Sequence, residues 1–280
     1  MDESPVKEDE RFSFARFAGH PFFKQVNAWL VSHSQIDADS AVVDLACGPG
    51  AVTELILGEL DETLPGACVY AVDPSLSALA LARQRIRSRI VHFVQGTAER
   101  LATLVPQVDR VVFANAVHLI ADKATVFDQI FRSLRPGGVL AFNTTFFQGA
   151  YPEGTQRFYK LWVLRAMRWL VGQGHTVTHG AKATAMQWLT VEQYREVLRS
   201  VGFADPVVAM HEKPLSAESL QDIGSFSLFI EGALPGVPLE IGAEALRRGV
   251  EEAFEELKLA NVPRNWLQVV VQRPLNPTAG

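Results

Sequence analysis

The chain predicts an α/β fold in which a mainly parallel sheet is covered by helices on both faces. Two observations carry that expectation. Short apolar runs with little polar alternation recur at 41–46, 68–72, 90–94, 110–114 and 139–143, as strands buried on both faces do. Runs with helical spacing separate them, and parallel strands need long crossovers of that kind.

Taken in order, residues 19–33 form a helix entered through Pro21, whose fixed φ suits a first turn. The strand 41–46 is stopped by Gly48-Pro49-Gly50, and 51–60 is helical. A second strand, 68–72, ends at Asp73-Pro74 and leads into a helix over 76–88 with Leu79, Leu81 and Ile86 among its apolar residues. The third strand, 90–94, runs into Gln95-Gly96-Thr97-Ala98-Glu99, and the fourth is 110–114. A helix over 124–134 is stopped by Pro136-Gly137-Gly138, which turns the chain into the fifth strand, 139–143. Residues 146–186 are too many for a connection and carry a helix of their own near 155–171, so they read as an insertion. Thr190-Val191-Glu192-Gln193 is a capping-box pattern, and Gly202 marks the end of the helix it opens. A sixth strand follows at 206–210, and the Ser-, Phe-, Gly- and Pro-containing stretch 212–239 is a second insertion. Residues 240–259 are an amphipathic helix with Leu246, Val250, Ala253 and Leu257 inward and Glu251, Glu252, Glu255 and Glu256 outward. The last strand is 266–272.

Composition narrows the function. The 280 residues carry a formal charge of −5, which disfavours a nucleic-acid backbone as partner. The polar start, 1–11, lacks the apolar core of a secretion signal, and no run is long enough to span a membrane. A cytoplasmic protein without stable membrane insertion is expected, and the sequence leaves its oligomeric state undefined. Cys47 and Cys68 have neither a redox nor a metal-ligand spacing.

The most informative string is Val42-Val43-Asp44-Leu45-Ala46-Cys47-Gly48-Pro49-Gly50. A strand delivers a carboxylate near its tip, and the glycines let backbone approach a ligand closely. Asp44 would repel a diphosphate and attract an ammonium or sulfonium. Thr53 stands where the dinucleotide pattern G-x-G-x-x-G needs its third glycine. Asp73, at the tip of the second strand, can accept two ribose hydroxyls or cap the next helix. His118, just past the fourth strand, titrates at about 6.5 when unperturbed and can act as a base or simply pack. His175 and His179 lie among glycines in a loop; either could supply a base, and no neighbouring Asp, Glu or Cys suggests a metal.

These residues resemble the first motif, Asp-x-x-x-Gly-x-Gly, of the class I S-adenosylmethionine-dependent methyltransferases. The resemblance is specific over about 41–143 and extends over 190–272 only by element order. It implies a Rossmann-like doubly wound, seven-stranded, mainly parallel sheet with an antiparallel last strand and helical cap insertions. The whole chain, 1–280, would then be one domain with core segments 41–145 and 190–272 and caps 12–40, 146–188 and 212–240. The implied cofactor is S-adenosyl-L-methionine, held by Asp44, Ala46, Gly48, Gly50, Asp73, Pro74, Thr97, Ala98, Asn115 and Ala116. Thr97 replaces the acidic residue that many relatives place near the adenine, so its contact would be weaker. His118 and His179 are the candidate catalytic bases.

The phenylalanines Phe12, Phe14, Phe17, Phe22 and Phe23 either pack into the core or form an apolar lid. The helix near 155–171 places Arg157, Lys160, Arg165 and Arg168 on one side and Phe158, Trp162, Ala166, Trp169 and Leu170 on the other. That basic side is a solvated face, an anion contact or a weak membrane contact. The expected reaction is methyl transfer to an O, N or C nucleophile of a small, apolar acceptor. Two other readings stay open: a nicotinamide-dependent oxidoreductase, and a protein that binds S-adenosylmethionine without transferring its methyl group.

Overall fold

The computed structural model describes residues 10–12, 14–176 and 187–275. Helices run α1 (Ala15–Ala18), α2 (Pro21–His33), α3 (Ala51–Leu57), α4 (Leu76–Arg85), α5 (Leu101–Leu104), α6 (Lys123–Ser133), α7 (Gln156–Gly172), α8 (Val191–Val201), α9 (Ala217–Gly224), α10 (Ser227–Ala233) and α11 (Leu239–Leu257). Strands are β1 (Ala41–Leu45), β2 (Cys68–Asp73), β3 (Val91–Gln95), β4 (Val108–Ala114), β5 (Leu134–Thr144), β6 (Val207–Leu215) and β7 (Val262–Gln272). The seven strands form one sheet in the order β3-β2-β1-β4-β5-β7-β6. β1 to β5 pair in parallel, and β7 pairs antiparallel to β5. The expected doubly wound, mainly parallel sheet is the one observed.

The chain forms two compact units. One takes the described residues within Gln25–Gln148, Trp188–His211 and Trp266–Gly280, and holds most of the sheet. Its core includes Leu30, Val42, Val52, Ile56, Val69, Val112, Val139 and Val270. These are strand residues without polar alternation, together with the inward faces of α2 and α3, and burying them is the main favourable term in folding. The capping box before α8 forms as the sequence pattern predicts. Gln193 N–H donates to Thr190 Oγ1, and Thr190 N–H donates to Gln193 Oε1.

The fifth strand differs from its expected form. Its pairing starts at Leu134, opposite Val108, and then shifts register to Arg110 opposite Val139. The Arg135–Gly138 segment is therefore an irregularity within the strand rather than a turn before it. Gly137 N–H donates to the Arg273 carbonyl and Arg273 N–H to the Gly138 carbonyl. Those bonds satisfy backbone groups that a free turn would leave to water.

The other unit takes the described residues within Met1–Lys24, Gly149–Gln187 and Glu212–Asn265. The two insertions expected at 146–188 and 212–240 fall largely here, and so does α11, which the sequence assigned to the sheet core. Helix α7 packs along α11. Trp162 is fully buried and its Nε1–H donates to the Leu246 carbonyl at 2.8 Å. A Cβ at Gly249 would sit 2.6 Å from the Trp162 carbonyl oxygen, so glycine is what allows the two helices to approach so closely. Phe14 meets Phe17, Phe23 and Phe226 edge-to-face at 5.2–5.5 Å. The N-terminal phenylalanines thus pack on one another within this unit's core.

Candidate cofactor site

The site is built at the C-terminal ends of β1, β2 and β4, where strand order reverses between β1 and β4. Open α/β sheets bind ligands at that position. Asp44 is the penultimate residue of β1, in register with Ala71 on one side and Val112 on the other. That placement leaves it 1% exposed. Thr53 of α3 donates its hydroxyl to Asp44 Oδ2 at 2.6 Å. Burial pushes the Asp44 carboxyl up to about 7; the Thr53 hydrogen bond opposes the shift and the nearby Asp73 charge adds to it. Ionising Asp44 in this position is costly unless a cation comes close.

The loop after β1 turns through three left-handed residues, Ala46 (φ 57), Gly48 (φ 52) and Gly50 (φ 89). At Gly50 an added Cβ would meet Ile86 Cδ1 at 2.6 Å, so both conformation and space exclude a side chain. At Gly48 an added Cβ would find nothing within 4 Å, which marks open space beside the loop. Ala46 pays a steric cost for its left-handed backbone, a kind of strain that concentrates at functional loops.

Asp73, the last residue of β2, is also buried. Its Oδ2 accepts Gly48 N–H at 2.8 Å and its Oδ1 accepts Ser75 N–H at 2.9 Å. The carboxylate therefore ties the first loop to the second. Burial raises its pKa, and those two N–H donors oppose the rise. Ser75, not Asp73, caps α4, accepting Ala78 N–H at 3.2 Å. Pro74 and Thr97 are exposed, while Ala98 is buried at the start of a short 3-10 turn. Gly96 N–H donates to the Asp73 carbonyl at 3.1 Å, which ties the third loop to the second strand tip.

Past β4, Asn115 is left-handed (φ 53) and its side chain is fully engaged. Its N–H donates to Asn143 Oδ1 at 2.8 Å, its Nδ2 donates to Asn27 Oδ1 at 2.8 Å, and its Oδ1 accepts the Trp266 Nε1–H at 3.1 Å. Asn143 Nδ2 also donates to Asn27 Oδ1, at 3.2 Å. With its side chain and N–H held this way, Asn115 has its backbone carbonyl to offer a ligand. Ala116 is buried beside it. Sequence reasoning missed Asn27, Asn143, Trp266 and the role of Thr53. The available signal was polarity out of place: Asn143 closes an otherwise apolar strand, and Thr53 interrupts the apolar face of α3.

His118 lies in a 3-10 turn after β4 and is 4% exposed. Its Nδ1 is 3.2 Å from Thr144 Oγ1, and its ring rests on Phe146 at 4.2 Å. Thr144 Oγ1 also accepts Phe146 N–H at 2.9 Å. His179 lies outside the described residues. Among the described residues, no group of three or more His, Cys, Asp or Glu side chains could hold a metal, and no helix is long and apolar enough to cross a membrane.

The donor set fits S-adenosylmethionine. Two buried carboxylates lie at adjoining strand tips, and among the described residues neither forms an ion pair with a Lys or Arg. A ligand with an ammonium and a sulfonium offsets that charge, whereas a diphosphate adds to it.

Comparison with known proteins agrees. Residues 42–138 match the family model of the methyltransferase domain. Over 113 residues the chain is 41% identical to a trans-aconitate 2-methyltransferase of an Azoarcus species, covering 40% of this chain and 42% of that protein. Over 141 residues it is 32% identical to a malonyl-[acyl-carrier protein] O-methyltransferase of a Marinomonas species, covering 50% of each. The alignments thus span half or less of these curated relatives. Among solved structures, the YcgJ protein from Bacillus subtilis has a similar fold, with a TM-score of 0.57 at 14% identity over 89% of this chain and 98% of that one. Residues 42–138 thus carry a methyltransferase domain, and the strand order and the loops at the sheet's C-terminal edge support a class I S-adenosylmethionine-dependent methyltransferase.

Proposed function

We propose that this protein transfers the methyl group of S-adenosylmethionine to a nucleophilic atom of a small acceptor. The observation that supports this most is the pair of buried carboxylates, Asp44 and Asp73, set around a glycine loop with no Lys or Arg paired to either among the described residues. When bound, S-adenosylmethionine supplies an electrophilic methyl group on a sulfonium. Asp73 would hold the ribose hydroxyls, and its hydrogen bond to Gly48 N–H fixes the loop that faces the methionyl portion. Asp44 would balance the ammonium, directly or through water. Pro74, Thr97 and Ala98 would border the adenine, and the backbones of Ala46, Asn115 and Ala116 would border the methionyl end.

The remaining contribution is positional. A reaction whose charges cancel needs alignment and dryness more than new charge, and good alignment contributes up to about 7–11 kcal/mol. His118 contacts Thr144 Oγ1 through Nδ1 and would act as a base only if the acceptor needs deprotonation. A carboxylate acceptor needs no such step, because its oxygen is already deprotonated at neutral pH. The two relatives, a trans-aconitate 2-methyltransferase and a malonyl-[acyl-carrier protein] O-methyltransferase, both point to carboxylic acids, so a carboxylate oxygen is the first acceptor to test, ahead of apolar alcohols and amines.

The test is incubation of the whole chain with methyl-labelled S-adenosylmethionine and a panel of small carboxylic acids, phenols and amines. Labelled product that disappears in Asp73→Ala supports the reading. Binding of S-adenosylhomocysteine with no labelled product across the panel favours a non-transferring role. Tight binding of a nicotinamide dinucleotide with none of S-adenosylhomocysteine favours an oxidoreductase.

A further inference from the structure

Helix α7 is amphipathic in an unusual way, because its outward face is not simply polar. Its inward face buries Phe158, Tyr159, Trp162, Ala166 and Leu170. On the opposite side Leu164, Met167 and Val171 are 53%, 38% and 70% exposed. Arg157, Lys160 and Arg168 are exposed on the same side. At 100° per residue these six positions fall within an arc of about 100°, and they run for about 21 Å along the helix. Three aliphatic side chains standing in water along one helix form a patch that ordinary surface composition does not require.

The cations of this stripe, like Arg16, Arg87 and Arg100, are exposed and meet no carboxylate among the described residues. Elsewhere, exposed arginines such as Arg85, Arg132, Arg135 and Arg247 each meet a carboxylate. Among the described residues, Arg157, Lys160 and Arg168 form no such pair. The carboxylates flanking the stripe from α11, Glu252 and Glu256, are taken up by Arg165, which lies on the inner side of α7. A shallow depression of about 440 Å³ opens beside the stripe, lined by Arg157, Lys160, Leu161, Leu164 and Glu256.

We propose that the outer face of α7 is a reversible docking surface for an anionic lipid bilayer. Its aliphatic side chains would enter the boundary between headgroups and acyl chains while the flanking cations meet lipid phosphates. The observations favour a bilayer over a protein partner. The stripe lacks the aromatic anchors that dominate protein hot spots, and it combines apolar side chains with long cationic ones that can reach back to headgroups. The net charge of −5 opposes general attraction to anionic surfaces, so contact through this face must be oriented, weak and salt-sensitive. The inference is independent of the methyl-transfer reading.

The experiment is sedimentation of the whole chain with vesicles of phosphatidylcholine alone or phosphatidylcholine with one quarter phosphatidylglycerol. Binding to the anionic vesicles at about 50 mM salt, falling at least about fivefold at 500 mM and absent on phosphatidylcholine alone, is the expected result. Two variants, Leu164→Gln/Val171→Gln and Arg157→Gln/Lys160→Gln/Arg168→Gln, should each weaken that binding about fivefold or more while keeping the thermal melt of the parent. Failure to bind anionic vesicles, equal binding to both vesicle types, or binding unchanged in both variants overturns the proposal. So does a dimer in light scattering that either variant converts to monomer, since a second copy would then be the occupant. Inorganic phosphate at millimolar concentration should not compete; full competition would mean a simple anion site and also overturns it.

Discussion

The sheet-bearing unit and the helical unit both bury charge, but they differ in its sign and in what meets it. In the first, Asp44 and Asp73 are buried at strand tips, left-handed backbone crowds around them, and among the described residues no Lys or Arg pairs with either. In the second, the interior holds stacked and edge-on aromatic rings and one buried cation, Arg264, set over the rings of Tyr151 and Tyr159, while charges such as Glu244, Arg247 and Arg248 pair on the outside. In the second arrangement the buried cation already rests against aromatic faces of the same unit. The first is expensive for stability and makes sense where a ligand completes it.

That contrast can be broken most forcefully by Trp162→Ala. Removing the buried indole and its bond to the Leu246 carbonyl should cost about 3–5 kcal/mol of stability, read as a lower denaturation midpoint. Affinity of the folded fraction for S-adenosylhomocysteine should be retained; its loss would mean that the helical unit carries binding chemistry as well. The reciprocal change, Asp73→Ala, should reduce cofactor affinity at least tenfold (about 1.4 kcal/mol or more) in calorimetry and leave most of the thermal stability intact. An unchanged affinity would remove Asp73 from the site.

A smaller effect sharpens the electrostatic side of the comparison. The Asp44 carboxyl is raised from an ordinary value of 3.8 to about 7. A raised carboxyl favours the folded state while protonated, so its contribution is present below the ordinary value and is lost as pH climbs towards about 7. Without cofactor, the parent should lose stability between about pH 4 and pH 7 relative to Asp44→Asn, whose curve lacks that component. Equal pH dependence in the two would show that Asp44 is not under desolvation stress. Thr53→Val removes the hydrogen bond that opposes the rise, so cofactor affinity should fall several-fold near pH 7 and recover as pH increases, with Thr53→Ser restoring it. The smallest expected effect is at His118. If the acceptor is a carboxylate, His118→Gln should lower kcat less than about tenfold, with packing against Phe146 as its main role. A loss of about a hundredfold or more, with a matching change in the pH profile, would make His118 a base.

The sheet was readable because the strands are short apolar runs whose ends carry turn residues, a pattern dictated by burial on both faces. The same local logic made Asp44, Gly48, Gly50 and Asp73 visible, because one strand tip and one glycine turn fit into nine residues. What the sequence did not show depends on long-range geometry. Asn27, Asn143 and Trp266 converge on Asn115 from segments separated by up to 151 positions. Nothing in any one segment announces that convergence. The bulge in β5 was invisible for the same reason, since Arg273 supplies its partners from the far end of the chain. The assignment of α11 to the helical unit turns on Gly249 fitting against Trp162, a relation between two helices that periodicity within either cannot reveal.

Calorimetric titration of S-adenosylhomocysteine into the whole chain, repeated with a nicotinamide dinucleotide, tests the central claim most directly. Saturable binding of one S-adenosylhomocysteine per chain, weakened in Asp44→Ala and Asp73→Ala, with no binding of the dinucleotide, is the predicted result. Binding of the dinucleotide alone, or S-adenosylhomocysteine binding indifferent to both substitutions, would contradict the claim that these two buried carboxylates hold a cationic nucleoside.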